Sequence, residues 1–190
     1  MSAAKPSFRL GFLLLAIVAI LAAQSSAQTG WAQSPPLGGS LAKFQPAPGG
    51  KTAPAIVALD AVGKPFDADK LAGKLVVLNF WATWCAPCVK EMPSLDRLQA
   101  ALGSDGVVVI PLSLDGPTKA KVEPFFADNK LSHLPVLFDQ ANKTFGGSMV
   151  RVLPTTILLR DGKELGRIEG PAEWDGEDAS RLLKFYLQVH

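Results

Sequence analysis

Apolar residues recur along this chain in three patterns, and each predicts a different element. Leu10 to Ala23 is a run of 14 residues with no polar side chain, shorter than the roughly 20 a spanning helix needs. Leu75–Trp81 (LVVLNFW) is shorter still and rich in branched and aromatic residues, as a strand buried on both faces should be. Val107–Leu114 reads the same way. Val89, Met92, Leu95, Leu98 and Leu102 instead recur at helical spacing, with Lys90, Glu91, Asp96 and Arg97 between them, which predicts an amphipathic helix. Further elements are a strand over Ile56–Asp60 and a short helix from a Thr118 cap to Asn129, bent at Pro124. A short strand follows over Pro135–Phe138. Thr155–Arg160 and Lys163–Ile168 flank Asp161-Gly162, a strong hairpin signal. Asp175 caps a last helix that turns Ala179, Leu182, Leu183, Tyr186 and Val189 inward. Strands alternating with helices, then a hairpin and a helix, predict an α/β domain with a mixed sheet.

Lys5 and Arg9 stand before the first apolar run, and Ser25-Ser26-Ala27 follows it, with Gly30-Trp31-Ala32 as a second small-residue site. A basic region, an apolar region and a small-residue site make an export signal. Residues 1–27 are therefore expected to be a signal peptide or an N-terminal membrane anchor. Residues 28–54 have no apolar period and are crowded with Pro and Gly, so they read as a linker. Residues 55–190 are left as the folded domain. The chain carries 19 Lys+Arg against 17 Asp+Glu. Loss of residues 1–27 removes Lys5 and Arg9 and leaves 17 of each sign, which argues against a nucleic-acid partner. Gly50-Lys51-Thr52 resembles the end of a phosphate-binding loop, but Gln45 stands where that loop needs Gly. Asn142-Lys143-Thr144 is formally a glycosylation sequon.

The chain has two cysteines, too few for a stapled miniprotein or a four-cysteine zinc site. Both lie in Trp84-Cys85-Ala86-Pro87-Cys88, between a predicted buried strand and a predicted helix. Unpaired N–H groups and the dipole at a helix N-terminus favour an anion there, so the Cys85 thiolate is favoured. Cys88 lies one turn later and can reach back to close a disulfide. Pro87 suits a first helical turn. A redox-active dithiol leads among the readings. A structural disulfide would close almost no loop. Half a zinc or copper site would need further ligands from His133, His190 or carboxylates, and neither histidine has ligand spacing.

Phe80-Trp81-Ala82-Thr83-Trp84-Cys85-Ala86-Pro87-Cys88, followed by Lys90-Glu91-Met92-Pro93, resembles the thioredoxin superfamily. More closely it is similar to the extracytoplasmic TlpA-like and ResA-like thiol:disulfide oxidoreductases of bacteria, over residues 55–190. Gly170-Pro171-Ala172-Glu173-Trp174 is similar to the TlpA branch. The resemblance implies a thioredoxin-like fold, a central mixed sheet flanked by helices, with a helix-and-strand insertion over 117–139. It implies that Cys85 attacks a client disulfide and Cys88 resolves the mixed disulfide, with Glu91 assisting proton transfer. It implies a cis Pro154 beside the dithiol, and client contact through Trp84, Pro87, Leu153 and Pro154. Pro93 resembles the kink of the family's active-site helix. Asn79 stands where thioredoxin has a buried Asp, so proton handling falls to Glu91 or water. Met92 reads as core and His133 as a surface or loop residue.

No metal and no cofactor beyond the dithiol are expected. The implied partners are disulfide-containing client proteins, such as apocytochrome c or copper-site proteins of cytochrome oxidase assembly, and a membrane thiol donor. The implied location is the bacterial periplasm, with a possible inner-membrane tether through residues 10–27. The same residues would also serve a disulfide-donating oxidant, or a copper-binding carrier that uses Cys85 and Cys88 as soft ligands. A peroxidase is disfavoured, because the Pro-x-x-x-Thr-x-x-Cys arrangement is missing before Cys85.

Overall fold

A computed structural model describes residues 37–116 and 119–188. The expected signal or anchor (1–27), the Thr118 cap, Val189 and His190 lie outside them. Seven strands form one mixed sheet: β1 (Gln45–Thr52), β2 (Ala58–Asp60), β3 (Leu75–Trp81), β4 (Val107–Ser113), β5 (Leu137–Asp139), β6 (Thr155–Arg160) and β7 (Lys163–Glu169). Their order is β1-β7-β6-β3-β4-β5-β2. Strands β3, β4 and β5 run parallel, and the other neighbours pair antiparallel. Among the described residues four α-helices accompany the sheet: α1 (Ala86–Leu102), α2 (Lys119–Asp128), α3 (Lys143–Gly147) and α4 (Glu177–Gln188).

Strand β3 sits in the middle of the sheet, and all seven of its residues are buried. Its side chains alternate between two apolar layers. Leu75, Val77 and Trp81 face Met92, Leu95 and Leu98 of α1, together with Leu182 and Leu183 of α4. Val76, Leu78 and Phe80 face the opposite layer with Ile110, Leu112, Ile157 and Val150. Asp161 and Gly162 both take positive φ between β6 and β7, as a two-residue hairpin of this hand requires. Helix α2 and strand β5 supply the expected helix and strand between β4 and the second half of the sheet.

The linker expected over 28–54 does not extend through Leu37–Pro54. Residues 45–52 form edge strand β1, paired with β7 and interrupted between Pro46 and Lys51. A turn of 3-10 helix, Gly39–Lys43, precedes it. Leu41 and Phe44 are buried in the core, and Phe44 packs against Tyr186. The domain therefore begins before residue 55. An edge strand tolerates Pro because one side of its backbone makes no ladder bonds.

Candidate active site

The end of β3 and the start of α1 place the two cysteines. Cys85 caps the helix, and its carbonyl accepts the Val89 N–H. The Cys88 N–H donates to Cys85 Sγ at 3.3 Å, so the helix terminus points a donor at the outer sulfur. The two residues are joined as a disulfide, with Cα atoms 5.2 Å apart. Cys85 is 6% exposed and Cys88 0%, so reagents can reach only the outer sulfur. Pro87 sits in the first helical turn, and Pro93 lies inside the helix. The loop before the motif is pinned from β4. Asp115 accepts from the Thr83 N–H at 2.8 Å, the Thr83 hydroxyl at 2.5 Å and the Ser113 hydroxyl at 2.8 Å.

A groove of about 690 Å³ opens beside the disulfide. Trp84, Cys85, Pro87 and Leu153 line it. Trp84 is 70% exposed, unusual for so large an apolar ring. The Leu153–Pro154 bond is cis, as the resemblance implied. Pro154 O accepts the Gly170 N–H at 2.8 Å, and Val152 O accepts the Thr155 hydroxyl at 2.7 Å. The structure thus gathers Trp84, Cys85, Pro87 and Leu153 at one groove, with Pro154 next in sequence.

Glu91 is elsewhere. It is 4% exposed and reached through a second cleft of about 700 Å³, lined by Pro87, Lys90, Ser94 and the Pro171–Glu173 segment. Pro87 borders both openings. The Asn79 amide donates to Glu91 Oε1 at 2.7 Å, and the Ala172 N–H donates to Oε2 at 2.9 Å. Burial pushes the carboxyl up to about 7. The Ala172 and Asn79 donors and the Lys43 charge oppose that push, and the Trp174 indole, which makes no hydrogen bond, opposes it least. Asn79 also donates to Thr156 Oγ1 at 2.9 Å, while its own Oδ1 is buried without a partner. A protonated Glu91 would have an O–H to donate. Turning the Asn79 amide over would offer that proton the acceptor it now lacks.

Sequence reasoning named the cysteines, Glu91, Asn79 and the groove residues, but not the contacts that join Asn79 and Ala172 to Glu91. Asn79 and Ala172 lie 12 and 81 residues from Glu91. Ala172 belongs to the Gly170–Trp174 segment, which sequence offered only as a mark of kinship. Ser94 ties that segment to α1, donating to Glu91 O and accepting from the Trp174 N–H. Lys43 Nζ donates to Pro171 O at 2.5 Å, and Ser40 Oγ accepts the Glu173 N–H at 2.9 Å. His133 is bound by Asp96, which accepts its backbone N–H and pairs with its ring Nδ1, both at 2.8 Å. Among the described residues, no three His, Cys, Asp or Glu side chains gather as a metal site would require. Among them also, no helix is long and apolar enough to cross a membrane.

The profile of the AhpC/TSA family matches residues 49–165. The thiol-disulfide oxidoreductase ResA of Bacillus cereus is 39% identical over 140 residues, covering 73% of this chain and 76% of that protein. A thiol:disulfide interchange protein of the thioredoxin family from Chlorobium tepidum superposes with a TM-score of 0.61 at 26% identity, covering 73% of this chain and 97% of that one. The pneumococcal exposed lipoprotein thioredoxin Etrx1 superposes with a TM-score of 0.58 at 28% identity, covering 67% of this chain and 96% of that one.

Proposed function

From a chain that belongs to the AhpC/TSA family, has the thioredoxin-like fold and is a thiol:disulfide oxidoreductase of the ResA kind, we propose a reductant of disulfides in extracytoplasmic client proteins. The observation that carries this is the asymmetry of the pair: Cys85, slightly exposed, at the helix terminus on the lip of an apolar groove, and Cys88 sealed behind it. In the reduced protein the Cys85 thiolate attacks a client disulfide. A Cys85–client bond forms, the client bond breaks, and one client thiolate leaves. Cys88 then loses its proton and attacks Cys85 Sγ, which releases the second client thiol. Two electrons pass to the client, and the Cys85–Cys88 disulfide remains. The chain has no third cysteine, so another protein must return those electrons, and a membrane thiol donor fits that role. Trp84, Pro87, Leu153 and Pro154 contact the client, and Glu91 handles the proton of Cys88.

Apocytochrome c and copper-site proteins of cytochrome oxidase assembly fit as clients, because each presents a cysteine pair. Export is supported by Lys5, Arg9 and the apolar run from Leu10 to Ala23, and by a structural relative described as an exposed lipoprotein. The direction of flow is tested by the equilibrium potential of the cysteine pair, read from tryptophan fluorescence in defined thiol buffers. A value near −270 mV, roughly thioredoxin's, is expected; one near −120 mV, roughly that of a strong disulfide donor, would reverse the assignment. Cys85→Ser abolishes insulin reduction, and Cys88→Ser traps client conjugates. Retained activity in Cys85→Ser would show that Cys85 is not the nucleophile.

A further inference from the structure

The groove beside Cys85 is apolar with one charge in it. Its aromatic and aliphatic walls come from Trp84, Phe145, Val152 and Leu153. Two polar side chains of the loops also reach it, Asn142 and Arg151. Neither makes a side-chain hydrogen bond or ion pair among the described residues, and Arg151 is exposed. Among the described residues no carboxylate lines the groove, and Arg151 is the only formally charged residue that does. The segments carrying these two residues hold non-glycine residues at positive φ: Ala141 at 55°, Asn142 at 56° and Met149 at 53°. Such backbone is costly for a residue with a side chain and clusters at ligand clamps. Thr144 is buried and bonded to the Val57 backbone, which fixes the segment that presents Asn142.

We propose that Arg151 makes this groove selective for client segments with a carboxylate side chain beside the attacked cysteine. The inference rests on Cys85 as the nucleophile and deepens that reading. A client seated on the apolar walls brings the residues next to its cysteine within reach of the guanidinium. Asp or Glu there gains an opposite charge that the protein itself leaves unpaired. Lys or Arg there meets a like charge at the protein surface, where Coulomb terms exceed their value in bulk water. Association is steered in the same sense. The redox step is unchanged: the protein dithiol and a client disulfide become the protein disulfide and two client thiols.

The test uses the reduced full-length protein and symmetric disulfide dimers of a one-cysteine peptide. The peptides differ only in having Glu, Gln or Lys next to the cysteine. Second-order rates are read by tryptophan fluorescence and divided by those for dithiothreitol, which removes each peptide's own reactivity. At low ionic strength the wild type should reduce the Glu dimer about 5-fold faster than the Lys dimer, as expected for one exposed charge pair against one like-charge pair. The preference should shrink in high salt. Arg151→Gln should level the Glu:Lys ratio, and Arg151→Glu should invert it. Each ratio is taken within one variant, so partial unfolding lowers both rates and leaves the ratio intact. An identical ratio in wild type and both variants would overturn the proposal. If the wild type fails to reduce even the Gln dimer, the exchange chemistry at Cys85 is what has failed.

Discussion

Replacing Glu91 by Gln should remove a pH-dependent loss of stability. The carboxyl is 4% exposed and held up at about 7 against an ordinary 4.5. Between those values the unfolded chain has released the proton and the folded chain still holds it. The folded state binds more protons in that window, so stability falls as pH rises through it. Below the unfolded value that stability is fully present, and above the folded one it is fully lost. A rise of that size corresponds to about 3 kcal/mol, at about 1.4 kcal/mol per pH unit. The glutamine side chain keeps the shape and cannot ionise. Its Oε1 can accept from Ala172, and its NH₂ can donate to Asn79 Oδ1, which has no partner in the native network. The assay is urea unfolding of the oxidised protein at pH 4 to 8, for wild type and Glu91→Gln side by side. Other groups titrate equally in both, so the difference isolates position 91. Wild type should lose about 3 kcal/mol relative to the variant between pH 4.5 and 8. A flat difference, or one of opposite sign, would refute the claim that burial dominates the proton affinity of this carboxyl.

Asp115→Ala leaves the Thr83 N–H and hydroxyl and the Ser113 hydroxyl without their shared acceptor. Loss of such a charged acceptor costs about 2 kcal/mol, and insulin reduction should slow with it, because the freed loop carries Trp84 and Cys85. Phe44→Ala should cost about 3–5 kcal/mol in a urea melt, since Phe44 is core and packs on Tyr186. A loss under about 0.5 kcal/mol would return Phe44 to the linker. Gly166→Ala should be destabilising by about 1–3 kcal/mol in the same assay, because its Cβ would collide with the Phe44 ring and the Gln45 carbonyl.

What was legible depended on how local the signal was. Strand β3 announced itself, because a strand buried on both faces is apolar at nearly every position. The Asp161-Gly162 hairpin needed two adjacent residues that accept positive φ, and both were adjacent in sequence. Strand β1 was missed for the opposite reason. Gln45–Thr52 holds two prolines and two glycines, buries none of its side chains, and is a strand only because β7 lies beside it. Leu41 and Phe44, which anchor the approach to it, are two apolar residues without a period. The contacts of Glu91 were likewise invisible, although Asn79 and the Gly170–Trp174 segment were each singled out. Helical spacing put Glu91 on the face of Cys88, but the donors that hold its carboxylate come from β3 and from a segment near the C-terminus. Arg151 carried no motif at all. Its position in the groove follows from the fold of the segment before Pro154.

The groove beside the dithiol and the cleft at Glu91, which share Pro87, divide the proposed cycle into steps with different pH dependences. Lowering a thiol from about 8.5 to about 7 raises its thiolate about 16-fold at pH 7 and cuts its intrinsic reactivity about 5-fold. The net gain of about 3-fold is small, so attack by Cys85 owes more to client positioning in the groove than to thiol activation. Resolution is different, because Cys88 is 0% exposed and has no open solvent to take its proton. Glu91 lies one turn further along the helix, opens to its own cleft and titrates at about 7. It accepts a proton only when ionised, and it is an efficient base because its affinity sits near the working pH. Below pH 7, with Glu91 protonated, attack by Cys85 should still proceed while release by Cys88 slows, so mixed disulfides with client should accumulate. Acid quenching of the reaction at pH 6 and pH 8 measures that accumulation directly. Equal levels at both would separate Glu91 from the resolving step. In Glu91→Gln the mixed disulfide should build up at both values, because the amide can accept no proton at either.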